Sequence, residues 1–166
     1  MIRIDMGFVS FNSSQIPVSG PDREVINEKI TIDNQEFNYC AVTIGNPHCV
    51  ILQDDVSPDL ACRFGPKIEN HTLFPNRTNV QFVKIIDKSN IRIEIWERGA
   101  GYTLASGSSS SAAAAVAHKL GLCGPDITVY MPGGELAIHI DKHFSVTLTG
   151  PVVRVAEGFL DDEIFK

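Results

Sequence analysis

Between Gly107 and Leu120 the chain reads Gly-Ser-Ser-Ser-Ser-Ala-Ala-Ala-Ala-Val-Ala-His-Lys-Leu, a helical stretch whose central turns have no polar face. A helix that is apolar all round cannot lie on a surface and must be enclosed by protein. Gly121 supplies its stop. The rest of the chain is mostly strand-like and must do the enclosing. Strands are expected over Ile2–Met6, Glu36–Val42, Val80–Ile86, Ile91–Trp96, Ile127–Met131, Glu135–Ile140, Phe144–Leu148 and Val152–Ala156. The second and third of these follow and precede turns at Asp33-Asn34 and Asp87–Asn90, the latter closing a hairpin. One other helix is predicted, with Ser57 as cap and Pro58 at its first position, running to about Phe64 before Gly65-Pro66 interrupts it. A short turn from Pro66 to Asn70 continues it. The expected fold class is therefore α+β, a strongly curved, barrel-like mixed β-sheet wrapped around one buried central helix.

At 166 residues and 43% hydrophobic, the chain can bury one core, and a single domain over 1–166 is expected. Its net charge of −6, without a basic stripe, argues against a nucleic-acid partner. No apolar run reaches the ~18 residues of a membrane span. Met1–Asp5 lacks a signal peptide's apolar region, so the expectation is a cytoplasmic protein with no membrane partner. Cys40, Cys49, Cys62 and Cys123 are scattered, with no metal-ligand spacing, and no metal is expected.

The segment leading into the apolar helix carries chemistry: Trp96-Glu97-Arg98-Gly99-Ala100-Gly101-Tyr102-Thr103-Leu104-Ala105-Ser106-Gly107-Ser108. Helix N-termini expose unpaired N–H groups that bind carboxylates or phosphates, and the glycines allow close approach. Ser106 sits at the lip, where a nucleophile or an acid/base group would be held. If Ile91, Ile93 and Ile95 face the core, Glu97 shares their face at the strand end, either paired with a cation or lining a cleft.

These residues, with Asp5-Met6-Gly7, Gly45-Asn46-Pro47-His48-Cys49-Val50, Phe74–Val80 and Met131-Pro132-Gly133-Gly134, resemble the C-terminal half of the diaminopimelate epimerase family, over nearly the whole chain. The resemblance implies an amino-acid epimerase or racemase of the lysine and peptidoglycan precursor pathway, needing no pyridoxal or other cofactor. Such proteins have two similar halves, each a sheet around a central helix, with the active site between them. Two cysteines, one at each helix N-terminus, serve as thiolate base and thiol acid on opposite faces of the α-carbon. A helix N-terminus lowers a thiol's pKa from about 8.5, which suits that role.

Carried over residue by residue, the resemblance sets Asn46, Asn79 and Arg98 around the substrate's distal carboxylate. Glu97 meets the distal ammonium and, with His48, tunes the catalytic pair, while Gly107 and Ser108 offer backbone N–H groups to the α-carboxylate. On residue type alone, Asn46 before Pro47 also suits a plain turn, His48 a structural histidine, and Asn79 and Arg98 strand ends. The implied ligand is a small amino acid with a second carboxylate.

The chain departs from the family in two respects. It carries only the second half, with the N-terminal half and its cysteine absent. Ser106 stands where the family has its second catalytic cysteine, and Ser109, Ser110 and Ser111 replace the pattern that usually follows. A serine hydroxyl is far less acidic than a thiol and is a weak base without a helper. The expectation is a chain inactive alone, either a piece of an epimerase-like protein or a diverged module that binds amino acids or carboxylates without catalysis. A structural partner of a separate N-terminal-half chain, or a homodimer, would cover the open face. A hydrolytic serine fits worst, because Leu104-Ala105-Ser106-Gly107-Ser108 lacks the first glycine of a nucleophile elbow.

Overall fold

The structure, a computed structural model, describes residues 1–165. Ten strands form one mixed sheet: β1 (Ile2–Phe8), β2 (Glu28–Ile32), β3 (Gln35–Thr43), β4 (Pro47–Leu52), β5 (Asn79–Asp87), β6 (Asn90–Glu97), β7 (Gly101–Thr103), β8 (Asp126–Met131), β9 (Gly134–Ile140) and β10 (Ser145–Gly150). The lateral order is β1-β10-β9-β8-β6-β5-β4-β3-β2. β6 shares one edge between two partners, β8 along Asn90–Arg92 and β7 along Ile95–Glu97. The sheet is strongly curved but not closed, since β1 and β2 end it unpaired with each other.

Helix α2 (Gly107–Lys119) lies inside the curve and touches β3, β4, β5, β6, β8, β9 and β10. Every residue from Ser109 to Ala117 is buried. The alanines make this enclosure feasible, because their small side chains let strands close in from all sides. The serines are accommodated because Ser110 and Ser111 Oγ donate back to the carbonyls of Ser106 and Gly107, at 2.8 and 2.9 Å, so these two hydroxyls are bonded within the helix. Ile91, Ile93 and Ile95 do face this helix, as the alternation of β6 requires.

Helix α1 (Pro58–Glu69) covers the opposite face of β5 and β6, over a second core that includes Phe37, Tyr39, Phe64, Ile68 and Phe82. β3, β4 and β5 are thus buried on both faces, whereas β8, β9 and β10 show the in–out alternation of a half-exposed sheet. Ser57 caps α1 by accepting from the Leu60 N–H. Contrary to expectation, Gly65-Pro66 does not interrupt the helix. A Cβ on Gly65 would lie 2.5 Å from Cβ and Cγ of Trp96, so the glycine is there for the close approach of α1 to β6. Pro66 lies inside the helix, which runs on to Glu69.

Two further expectations change. β2, β4 and β7 were not anticipated as strands. Val152–Ala156 is not a strand: both edges of β10 are taken, by β1 and β9, and the chain after Gly150 runs exposed to a short 3₁₀ turn at Asp162–Phe165. Among the described residues no helix is long and apolar enough to cross a membrane, and no cluster of three or more His, Cys, Asp or Glu side chains could hold a metal.

Candidate functional site

The parallel pairing of β4 with β5 sets His48 opposite Asn79, and the antiparallel pairing of β5 with β6 sets Val80 opposite Trp96. His48, Asn79 and Glu97 therefore sit side by side at one end of the sheet's central strands. Asn79 is buried and ties the strands together: its Nδ2 donates to the Pro47 carbonyl and its Oδ1 accepts from the Arg98 N–H, both at 2.9 Å. Arg98 folds its guanidinium back to donate from Nη1 to the Asn76 carbonyl, at 3.0 Å. Glu97 is half-buried, and among the described residues its carboxylate makes no ion pair, so the strand-end salt bridge considered from the sequence is absent.

His48 is fully buried. Its Nε2 is 2.9 Å from Asn46 Oδ1, which fits an Nε2–H donor. Burial pushes the imidazole pKa down to about 3; the Gln81 carboxamide opposes that shift, and the Arg98 charge adds to it. Its Nδ1 and the Oε1 of Gln81 are both buried without a partner. The same Gln81 donates from Nε2 to Ser109 Oγ at 3.0 Å. With the Gln81 amide turned over, Ser109 O–H would donate to Oε1 and Nε2–H to the lone pair of His48 Nδ1, a contact that favours the neutral imidazole instead of opposing the fall in its pKa. A polar chain Asn46–His48–Gln81–Ser109 then links the loop before β4 to the first turn of α2.

At that turn, Ser106 is the N-cap, its Oγ accepting from the Ser109 N–H at 3.4 Å. Ser106, Gly107 and Ser108 are half-buried at the helix mouth, and the first two line a hollow of about 290 Å³ with Ala105, Met131, Gly133 and Leu136. Among the described residues no hydrogen bond joins these three directly to Asn46, Asn79, Glu97 or Arg98; Gln81 and Ser109 make the connection. The four cysteines are free, and burial raises the thiol pKa of Cys40, Cys49 and Cys123. Cys49 packs in the core on the α1 side of the sheet, away from the helix mouth.

Gln81, Ser109 and Glu69 were missed from the sequence. One signal for Gln81 was available: period-two alternation puts it on the same face as Asn79 and Val83, between apolar neighbours.

The sequence profile described as "Diaminopimelate epimerase" matches residues 40–155. The chain is 61% identical over 164 residues to "Diaminopimelate epimerase 2" of Nostoc sp., covering 99% of this chain and 58% of that protein. It is 38% identical over 165 residues to "Diaminopimelate epimerase" of Alkaliphilus metalliredigens, again 99% and 58%. The chain thus spans somewhat over half the length of these relatives. Among solved structures, a probable proline racemase from Agrobacterium radiobacter aligns with a TM-score of 0.62 at 15% identity, over 96% of this chain and 53% of that one, and so shares its fold. The matched range takes in the strands and the helix mouth described above, and the protein belongs to the diaminopimelate epimerase family.

Proposed function

We propose that this chain forms one wall of a cofactor-independent amino-acid epimerase site for diaminopimelate, and that on its own it does not catalyse the inversion. The observation that carries this reading is the convergence, at one end of the sheet, of the Asn46–His48 pair, the Asn79–Arg98 pair and the N-terminus of α2. Arg98 and the two amides suit a carboxylate, and the N–H groups of Gly107 and Ser108 suit a second.

Inversion requires a base to take the α-proton, leaving the electron pair delocalised into the α-carboxylate, and an acid to return a proton to the opposite face. Ser106 occupies the proton-transfer position in this reading. Its hydroxyl serves as a helix cap, and among the described residues no His, Asp or Glu side chain hydrogen-bonds to it. Without such a helper it is too weak an acid and base for the task. A second wall with its own acid/base group would face this one, supplied by the part of the relatives' length not spanned here.

Deuterium exchange at the α-carbon of diaminopimelate tests the claim. No exchange is expected from the 166-residue chain, and measurable exchange would overturn its inactivity. The capping role of Ser106 also favours a second reading, a module that binds amino acids without turning them over. Calorimetric heat with diaminopimelate but no exchange, even after Ser106→Cys and addition of a first-half chain, would select that reading. No heat at millimolar ligand would count against both.

A further inference from the structure

Helix α1 ends on a carboxylate, where the helix dipole disfavours one. Glu69 is only 5% exposed, yet its charge is fully engaged. Trp96 Nε1–H donates to Oε2 at 2.7 Å, while the Gly99 N–H and Arg77 Nη1 donate to Oε1 at 2.9 and 3.0 Å. A buried carboxylate persists only with such compensation, and losing one partner leaves it exposed to the full cost of desolvation.

The donors lie on both sides of the candidate site. Trp96 and Gly99 bracket Glu97 and Arg98. Arg77 follows Asn76, the carbonyl that receives the Arg98 guanidinium, and stands two residues before Asn79. Arg77 holds a left-handed backbone, φ 58°, which costs energy for a side-chain-bearing residue and needs outside contacts to maintain it. The close fit of Gly65 on Trp96 fixes α1 against the same turn.

We propose that Glu69 is a positioning residue, clamping the Trp96–Gly99 turn to the Asn76–Asn79 turn so that Arg98 and Asn79 are held at a fixed separation for a ligand carboxylate. The proposal rests on the carboxylate-binding reading above. Of the three donors, Trp96 lies near the end of β6, Gly99 in the turn that follows it and Arg77 in the turn that precedes β5, so Glu69 joins the two turns at the strand ends.

The test is Glu69→Gln in the full chain, followed by amide NMR and by calorimetry with meso-diaminopimelate. The Gly99 amide is expected to move upfield and the amides of 97–101 to gain motion, while those of β3 to β5 stay unchanged. Affinity is expected to fall at least about ten-fold, equivalent to about 1.4 kcal/mol of binding. A purely structural Glu69 would instead lower stability throughout with the 97–101 amides and the affinity unmoved, and that result would overturn the proposal. Trp96→Phe removes one donor while keeping an aromatic ring, and serves if Glu69→Gln does not fold; an unmoved loop there counts equally against the clamp. If the unaltered chain binds no diaminopimelate, the carboxylate reading falls, and the loop amides still decide the clamp.

Discussion

His48 shows how much one buried side chain can dictate. Its pKa in the fold, about 3, lies below the 6.5 of an exposed histidine, so the unfolded chain binds a proton that the folded chain refuses between those values. Stability therefore rises with pH through this window, is complete above about 6.5, and is lost as pH falls. Linkage puts the loss between pH 7 and pH 5 at about 2 kcal/mol. Urea melts at both pH values should show that difference between wild type and His48→Gln, and equal pH dependence in the two proteins would refute it. The carboxyls held low by hydrogen bonds, at Glu28, Asp55, Asp87 and Asp141, act below this range. At this scale the sequence disclosed residue types that can bind a carboxylate, and the structure adds their wiring. Glu69 was illegible because its role depends on a partner 30 residues away, and alternation marks Gln81 as inward without naming Ser109, 28 residues away.

At the scale of elements, the reading succeeded where periodicity is strong and failed where packing overrides it. The all-apolar α2 demanded enclosure, and the alternation in β6 gave its inward face directly. β4 hid inside a motif that begins with Pro47 and reads as a turn, since a strand buried on both faces has no alternation to detect. Gly65-Pro66 looked like a breaker because nothing local reveals Trp96 pressing on the helix. That contact decides a competition of known size. Gly→Ala inside a helix ordinarily gains about 1 kcal/mol, whereas overpacking a filled contact costs about 1–3 kcal/mol. With Cβ 2.5 Å from the root of the Trp96 side chain rather than from a flexible end, overpacking wins. Gly65→Ala should destabilise the protein by up to about 2 kcal/mol in denaturant titration. A more stable variant would show that α1 can shift off Trp96 without cost.

For the whole molecule, the question is which part of the chain holds the rest together. The sheet is completed at β10, which pairs on one side with β1 and on the other with β9, so the first and last strands in chain order are joined by Gly150 while the sheet stays open between β1 and β2. Beyond it, Val153, Val155, Phe159 and Leu160 are all exposed, and their side chains contribute nothing to either core. The apolar pattern that suggested a strand over Val152–Ala156 is real, but a strand requires a free edge, and β10 has none to extend. Removing residues after Pro151 should therefore change the unfolding free energy by no more than about 0.5 kcal/mol, the range of surface changes that touch no core. Limited proteolysis should cut within 152–165 before it cuts the sheet, because an exposed backbone without ladder hydrogen bonds is what a protease needs. A truncated chain that unfolds appreciably more easily would mean that these residues pack on the body, and that the sheet around α2 is not self-sufficient.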